Sequence, residues 1–183
     1  MSLHLKFRYR FEAAHRFLSS QAPACRTPHG HTWYATAIFQ LSSESSLDQG
    51  AMSAEFGILK QKWKAFITGN ADHSYLHHYE DPIVPSLILD NPDARLLPFP
   101  TDPTTEMIAG LFMLKITAMH NAENHPALRK IKLRGVHIQE TPTNSITVTL
   151  QKSGAPPNWL VDKIGDSTGW WTSPSPADRS FSR

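Results

Sequence analysis

Apolar and basic residues alternate from the start of the chain. Leu3, Leu5, Phe7, Tyr9 and Phe11 fall on one parity, and His4, Lys6, Arg8 and Arg10 on the other. A period of two is that of a strand, so this segment predicts a strand with one apolar and one basic face. Residues 31–42 repeat the pattern through Trp33, Ala35, Ala37, Phe39 and Leu41. Between the two, residues 16–28 hold Pro23 and Pro28 and read as a loop. A serine-rich turn follows from Ser42 to Gly50. Then Phe56, Leu59, Trp63, Phe66 and Ile67 recur at helical spacing. Residues 71–103 read as mostly irregular. Asp102 and Pro103 are the expected N-cap and first position of a second helix, which carries Ile108, Leu111, Phe112, Lys115 and Met119. Two more strands are expected near 130–140 and 144–151. The apolar phase slips between Leu133 and Val136, which predicts a bulge at Gly135. The order is β-β-α-α-β-β, an α+β chain with antiparallel strand pairs.

A chain of 183 residues suits one domain with a real core. The patterned body is expected over 1–152. Residues 153–183 differ: they are rich in proline and serine, yet carry Trp159, Trp170 and Trp171. Disordered tails are poor in aromatics, so part of this extension is expected to dock on the body or on a neighbouring subunit; the alternative is a loose tail with incidental aromatics. A net charge of +2 is too small to argue for a nucleic-acid surface. No apolar run is long enough for a bilayer, and Lys6, Arg8 and Arg10 interrupt any signal-peptide core. The expectation is a cytoplasmic protein with neither nucleic-acid nor membrane partner. The single cysteine excludes an intrachain disulfide, and ten histidines hint at metal.

The chemistry concentrates in Cys25-Arg26-Thr27-Pro28-His29-Gly30-His31. On a strand, His29 and His31 point to the same face. His15 ends the first strand just before the intervening loop, so antiparallel pairing brings it to them. Three histidines with no fourth protein ligand form the open arrangement of a catalytic zinc; the alternative is coincident spacing. Cys25 is either a thiol exchanging protons beside a dication, a buried structural cysteine or a fourth ligand. The rival pair His73 and His77 lacks the His-Glu-x-x-His pattern. In Asp72-His73 a carboxylate can orient an imidazole. Glu140, at the end of the third strand, could accept two parallel hydrogen bonds from an amidine-like heterocycle edge, or be a solvated acid.

Taken together, several blocks resemble a known family. They are Phe11-Glu12-Ala13-Ala14-His15-Arg16-Phe17, Cys25-x₃-His29-Gly30-His31, Glu55-Phe56-Gly57-Ile58-Leu59-Lys60, Asp72-His73-x-x-Leu76, Pro103-Thr104-Thr105-Glu106 and Glu140-Thr141. Their order is similar to that in the 6-pyruvoyltetrahydropterin synthases and their relatives. The spacing of Cys25 to His29 looks most like the 6-carboxytetrahydropterin synthase branch of queuosine (7-deazaguanine) biosynthesis. The resemblance spans about residues 3–150. It implies a tunnelling fold (T-fold), a four-stranded antiparallel sheet with two helices on one face. Three such sheets join into a barrel, giving a homotrimer or homohexamer.

The resemblance also implies a zinc-dependent lyase acting on 7,8-dihydroneopterin triphosphate. His15, His29 and His31 would hold Zn2+ as a Lewis acid toward the side-chain hydroxyls. Cys25, Asp72 and His73 would be catalytic, the thiol moving protons and the pair tuning it. Glu140, Thr104, Thr105 and Glu106 would bind the pterin. In the carboxy branch triphosphate and acetaldehyde leave. The alternative is the pyruvoyl branch or a related enzyme with altered product, in which both side-chain carbons stay. A non-catalytic T-fold binding protein is the remaining reading. The chain departs from the family pattern at Glu55, His77 and Pro28, and in its long 79–103 segment and C-terminal extension.

Overall fold

The computed structural model describes residues 3–41 and 57–182. The serine-rich turn and Glu55-Phe56 lie outside the described residues. In chain order the elements are β1 (His4–His15), α1 (Pro23–Arg26), β2 (His29–Leu41), α2 (Gly57–Phe66), a π-helical turn (Ile67–Ala71), β3 (Ser74–His78), α3 (Val84–Asp90), β4 (Leu96–Phe99) and α4 (Thr105–Asn121). A 3-10 turn (Pro126–Lys130) leads to β5 (Ile131–Gln139), β6 (Ser145–Thr149), α5 (Asn158–Ile164) and two short strands, β7 (Thr168–Gly169) and β8 (Phe181–Ser182).

The expected antiparallel sheet is there as β1-β2-β5-β6, and β3 and β4 extend it in the order β4-β3-β1-β2-β5-β6. Both added strands run parallel to their neighbours. They correct the reading of 71–103 as irregular. β3 is almost wholly buried, Ser-Tyr-Leu-His with no polar side, so it shows no alternation.

Alternation does set the main faces. In β1, Phe7, Phe11, Ala13 and His15 are buried, and Lys6, Arg8 and Arg10 are exposed. In β2, Trp33, Ala35, Ala37, Phe39 and Leu41 are buried on the matching face. The register shifts at Ile38/Phe39, opposite Gly135 and Leu133, where the bulge was expected. A Cβ on Gly135 would lie 2.1 Å from the Val148 carbonyl oxygen, so a side chain there collides with backbone.

Helices α2 and α4 supply the other layer of the core, through Leu59, Trp63 and Phe66 of α2 and nearly every residue of α4 from Met107 to Met119. A helix buried all round needs cover on both sides. The sheet covers one side of α4 and the C-terminal extension the other. Leu160 packs where Gly110 has no side chain; a Cβ there would meet it at 2.8 Å. Trp170 and Trp171 are fully buried, while Trp159 stays exposed. Trp170 stacks on Phe66 at 5.5 Å, and its indole donates to Pro98 O at 2.8 Å. Lys115 is buried too, and Nζ donates to the carbonyls of Trp170 (2.7 Å), Ser173 (2.9 Å) and Ser175 (2.6 Å).

The start of α4 differs from expectation. Thr104, not Asp102, is the N-cap, and its side chain accepts from Met107 N at 3.2 Å. Asp102 instead accepts from the Leu18 and Ser19 amides at 2.8 and 2.9 Å and from the Ser19 hydroxyl. Three donors in the loop after β1 outcompete one helix terminus for this carboxylate. Asp102 thereby ties that loop to the entry of α4.

Candidate metal centre and adjoining cleft

Antiparallel register places His15 directly opposite His29 and Ala13 opposite His31. All three histidines have the parity of the core face, so they continue the apolar stripe to the end of the strands. There the rings meet, with centroids 4.6 Å (15–29), 5.2 Å (15–31) and 5.1 Å (29–31) apart. One ligand atom from each lies within 4.8 Å of the others. Trp33 forms the floor, its ring 5.0 Å from His15 and 5.4 Å from His31.

Backbone carbonyls orient two of the rings. His15 Nδ1 lies 3.0 Å from Pro103 O, and His29 Nδ1 lies 2.8 Å from Thr27 O. Each pairing has Nδ1–H donating, which leaves Nε2 with its lone pair free to ligate. His15 Nε2 is buried and has no hydrogen-bond partner. A buried imidazole nitrogen without a partner is costly unless something fills the space before it, and a metal ion would. Burial pushes His15 down to about 4, so its ring is neutral at neutral pH, the form that binds metal. Burial also lowers His31, with the Glu140 charge opposing. The donor set therefore fits a borderline-soft divalent ion, and three nitrogens leave a position open.

Glu140 reaches this cluster. Its carboxylate lies 3.5 Å from His15 Nε2 and 3.8 Å from His31 Nε2. Any ligand held by Glu140 would therefore stand beside a metal on the histidines.

His31 also lines a cleft of about 650 Å³, together with Glu12, Gly30, His73, Asp90 and Arg95. Asp72 and His73 belong to this side. Asp72 Oδ2 is 3.0 Å from His73 Nδ1, and Asp72 Oδ1 accepts from Glu12 N at 2.9 Å. Burial pushes the Asp72 carboxyl up, but the Glu12 amide, the His73 ring and the Arg95 charge outweigh it, so it sits below the usual range. The carboxylate is ionised and holds the imidazole by Nδ1.

Cys25 is half-buried in α1 and belongs neither to the three-imidazole group nor to the lining of this cleft. Its carbonyl accepts from Phe17 N at 2.8 Å, which pins its loop two residues beyond His15. Thr104 is occupied as a helix cap. Glu106 lies with Thr104, Trp159 and Lys163 in a separate concavity. The single chain thus brings together His15, His29, His31 and Glu140, sets Asp72-His73 across the adjoining cleft, and leaves Cys25 and Thr104–Glu106 outside both. Sequence reasoning had no means of finding the Pro103 and Thr27 carbonyls, since backbone acceptors have no sequence signature. The Trp33 floor was visible as the next residue of the same parity.

A family model described as 6-pyruvoyl tetrahydropterin synthase matches residues 4–151. The 6-carboxy-5,6,7,8-tetrahydropterin synthase of Rickettsia bellii is 28% identical over 102 residues, covering 56% of this chain and 71% of that protein. Among solved structures, an uncharacterised protein of Wolinella succinogenes superposes with a TM-score of 0.62 at 19% identity, covering 82% of this chain and 99% of the other. The 6-pyruvoyl tetrahydropterin synthase of Caenorhabditis elegans gives 0.53 at 20% identity, covering 82% and 97%. At such identities the superpositions show the fold, the α+β tunnelling fold.

Proposed function

Because the chain belongs to the 6-pyruvoyl tetrahydropterin synthase family, we propose that it is a zinc-dependent lyase converting 7,8-dihydroneopterin triphosphate and water to 6-carboxy-5,6,7,8-tetrahydropterin, acetaldehyde and triphosphate. The observation that carries this reading is the convergence of three imidazoles around the unpartnered Nε2 of His15, beside Glu140 and next to a cleft lined by His73, whose ring Asp72 holds. His15, His29 and His31 would hold the zinc, which when bound supplies Lewis acidity toward the substrate hydroxyls. Glu140 would accept two hydrogen bonds from the pterin edge, setting the side chain over the histidines. His73, oriented by Asp72, and the Cys25 thiol would take and return protons at the side-chain carbons.

The distribution of these groups favours assembly. Strands β4 and β6 are the open edges of the sheet. Closing them against neighbouring copies in a trimer or hexamer would remove both edges and put each site at a contact between chains. A neighbour could then bring Cys25 to the cleft. Thr104, Thr105 and Glu106 enter the proposal on the far side of Pro103. A pterin role for them requires that they face a neighbour's site. The basic face of Lys6, Arg8 and Arg10 would line the barrel, where charges stay hydrated. We further propose 1–152 as the enzyme domain, 153–183 as an added extension, and a cytoplasmic location. Among the described residues no helix is long and apolar enough to cross a membrane.

The test is mass spectrometry of the products formed from 7,8-dihydroneopterin triphosphate, with and without a chelator. Acetaldehyde and the 6-carboxy product, both lost on chelation, are expected. The 6-pyruvoyl product without acetaldehyde would select the second branch of the family. No turnover by the zinc-loaded oligomer would refute both.

A further inference from the structure

The turn that carries Asp72 and His73 is anchored in the core by buried Ile67 and Ala71 and held further by partners from other parts of the chain. It is π-helical over Ile67–Ala71, closed by Asp72 N donating to Ile67 O at 2.8 Å. It ends at His73 with φ +55°, a left-handed conformation that a side chain of this size keeps only when its surroundings enforce it. Part of the enforcement comes from Arg95, just before β4. Arg95 donates from Nη2 to Thr68 O (3.0 Å) and Gly69 O (2.7 Å), and from Nε to Asp72 O (3.0 Å).

β1 adds to it, since His73 N donates to Glu12 O at 2.6 Å and Glu12 N donates to Asp72 Oδ1 at 2.9 Å. A further part comes from the last residues of the described chain. Asn70 is buried, and its side chain bonds the C-terminal segment. Its amide Nδ2 donates to Pro176 O (2.8 Å) and Asp178 O (3.0 Å), and its Oδ1 accepts from Arg179 Nε (2.9 Å). A second Arg179 nitrogen, Nη2, donates to Gly69 O. That segment is itself fixed by the Lys115 clamp and by buried Trp170 and Trp171. It lies wholly beyond residue 151, where the family match ends.

We propose that the C-terminal segment is a positioning element of the Asp72-His73 pair. Arg179 and Asn70 are the positioning residues that hold the π-helical turn, and with it the left-handed backbone of His73. This makes the extension more than a cover for α4: it braces the turn beside the cleft from behind, lining none of the cleft itself. The effect expected on turnover rests on the role proposed above for the pair; the geometric effect does not.

The test compares the full-length chain with Arg179→Ala and Arg179→Lys. Five quantities are read: the ring ¹⁵N shifts of His73, assigned with His73→Gln; zinc per chain; kcat and KM on 7,8-dihydroneopterin triphosphate; and Tm. In Arg179→Ala the shifts marking the Nδ1–H tautomer held by Asp72 should be lost. Zinc content should be unchanged, and kcat should fall roughly 10–100-fold, as for other orienting partners, with little change in KM. Arg179→Lys keeps a donor for Gly69 O and should recover part of both effects, and it carries the test if the alanine variant does not fold. Unchanged His73 shifts in the folded variants overturn the proposal, whatever happens to kcat. Altered shifts with unchanged kcat leave the positioning standing and remove the pair from the proposed reaction. A parent chain that does not turn over the substrate refutes the proposed function alone, since the shifts still decide the geometry.

Discussion

Replacing Lys115 with methionine tests how the C-terminal extension is held, because this buried ammonium is a single point joining α4 to three backbone carbonyls. Lys115→Met keeps an unbranched apolar stem of similar length and removes all three hydrogen bonds, to Trp170, Ser173 and Ser175. The bond to Trp170 O is buried; the other two are partly so, and those carbonyls can rehydrate. One stranded buried carbonyl costs about 1–3 kcal/mol, and each partly buried one less. Against this, methionine relieves the cost of keeping a charge out of water. The net loss at neutral pH should be roughly 2 kcal/mol, or about 4–8 °C in Tm for a chain of this size.

The pH dependence follows from the same geometry. Burial pushes Lys115 down to about 8, with the Asp178 charge opposing. Between about pH 8 and the usual lysine value near 10.4 the unfolded chain binds more protons than the folded one. Stability due to this group therefore rises with pH across that window, by about 1.4 kcal/mol per unit of pKa difference. The methionine variant lacks this gain, so the gap between parent and variant should widen from roughly 2 kcal/mol at neutral pH to about 4 near pH 10. Urea unfolding followed by circular dichroism and tryptophan fluorescence measures both chains, and the difference cancels other alkaline titrations. Equal stability at neutral pH would refute the clamp. A gap that narrows toward pH 10 would show instead that the three acceptors hold the ammonium more strongly than burial opposes it.

Other outcomes follow from the proposed site. His29→Ala should abolish zinc binding and turnover together, measured by metal analysis on the purified chain; full occupancy in that variant would sink the assignment. Cys25→Ala should retain zinc yet lose about 10²–10⁴-fold in kcat, the usual worth of an acid–base group. Loss of zinc as well would make the thiol a ligand. Light scattering on the full-length chain should give a trimer or hexamer, and a monomer would remove the barrel and any site shared between chains.

Much of the architecture was legible because period-two patterning carries both secondary structure and face. The parity that buries Phe7 and Phe11 also puts His15 on the core face, and that of Trp33 and Ala35 does the same for His29 and His31. Antiparallel pairing then brings the three rings together. The bulge near Gly135 was readable from a phase slip. The all-apolar run of α4 also held a signal that something covers its second side, though nothing in it named α5 and Trp170 as the cover.

What only the tertiary structure decided shares one property: it depends on partners distant in sequence, or on backbone groups every residue has. β3 and β4 are short and buried, so they lack the alternation by which a strand is recognised. Asp102 looks like a helix cap until the loop after β1 offers three better-placed donors. Arg179 donates to Asn70 Oδ1, and Asn70 Nδ2 donates to the carbonyls of Pro176 and Asp178, each across more than a hundred residues. The carbonyls of Pro103 and Thr27 select the imidazole tautomers, and no side chain announces them. Sequence determines what each segment can bury and on which face; which carbonyl or carboxylate a buried donor finally meets is fixed only when the segments pack and water is excluded.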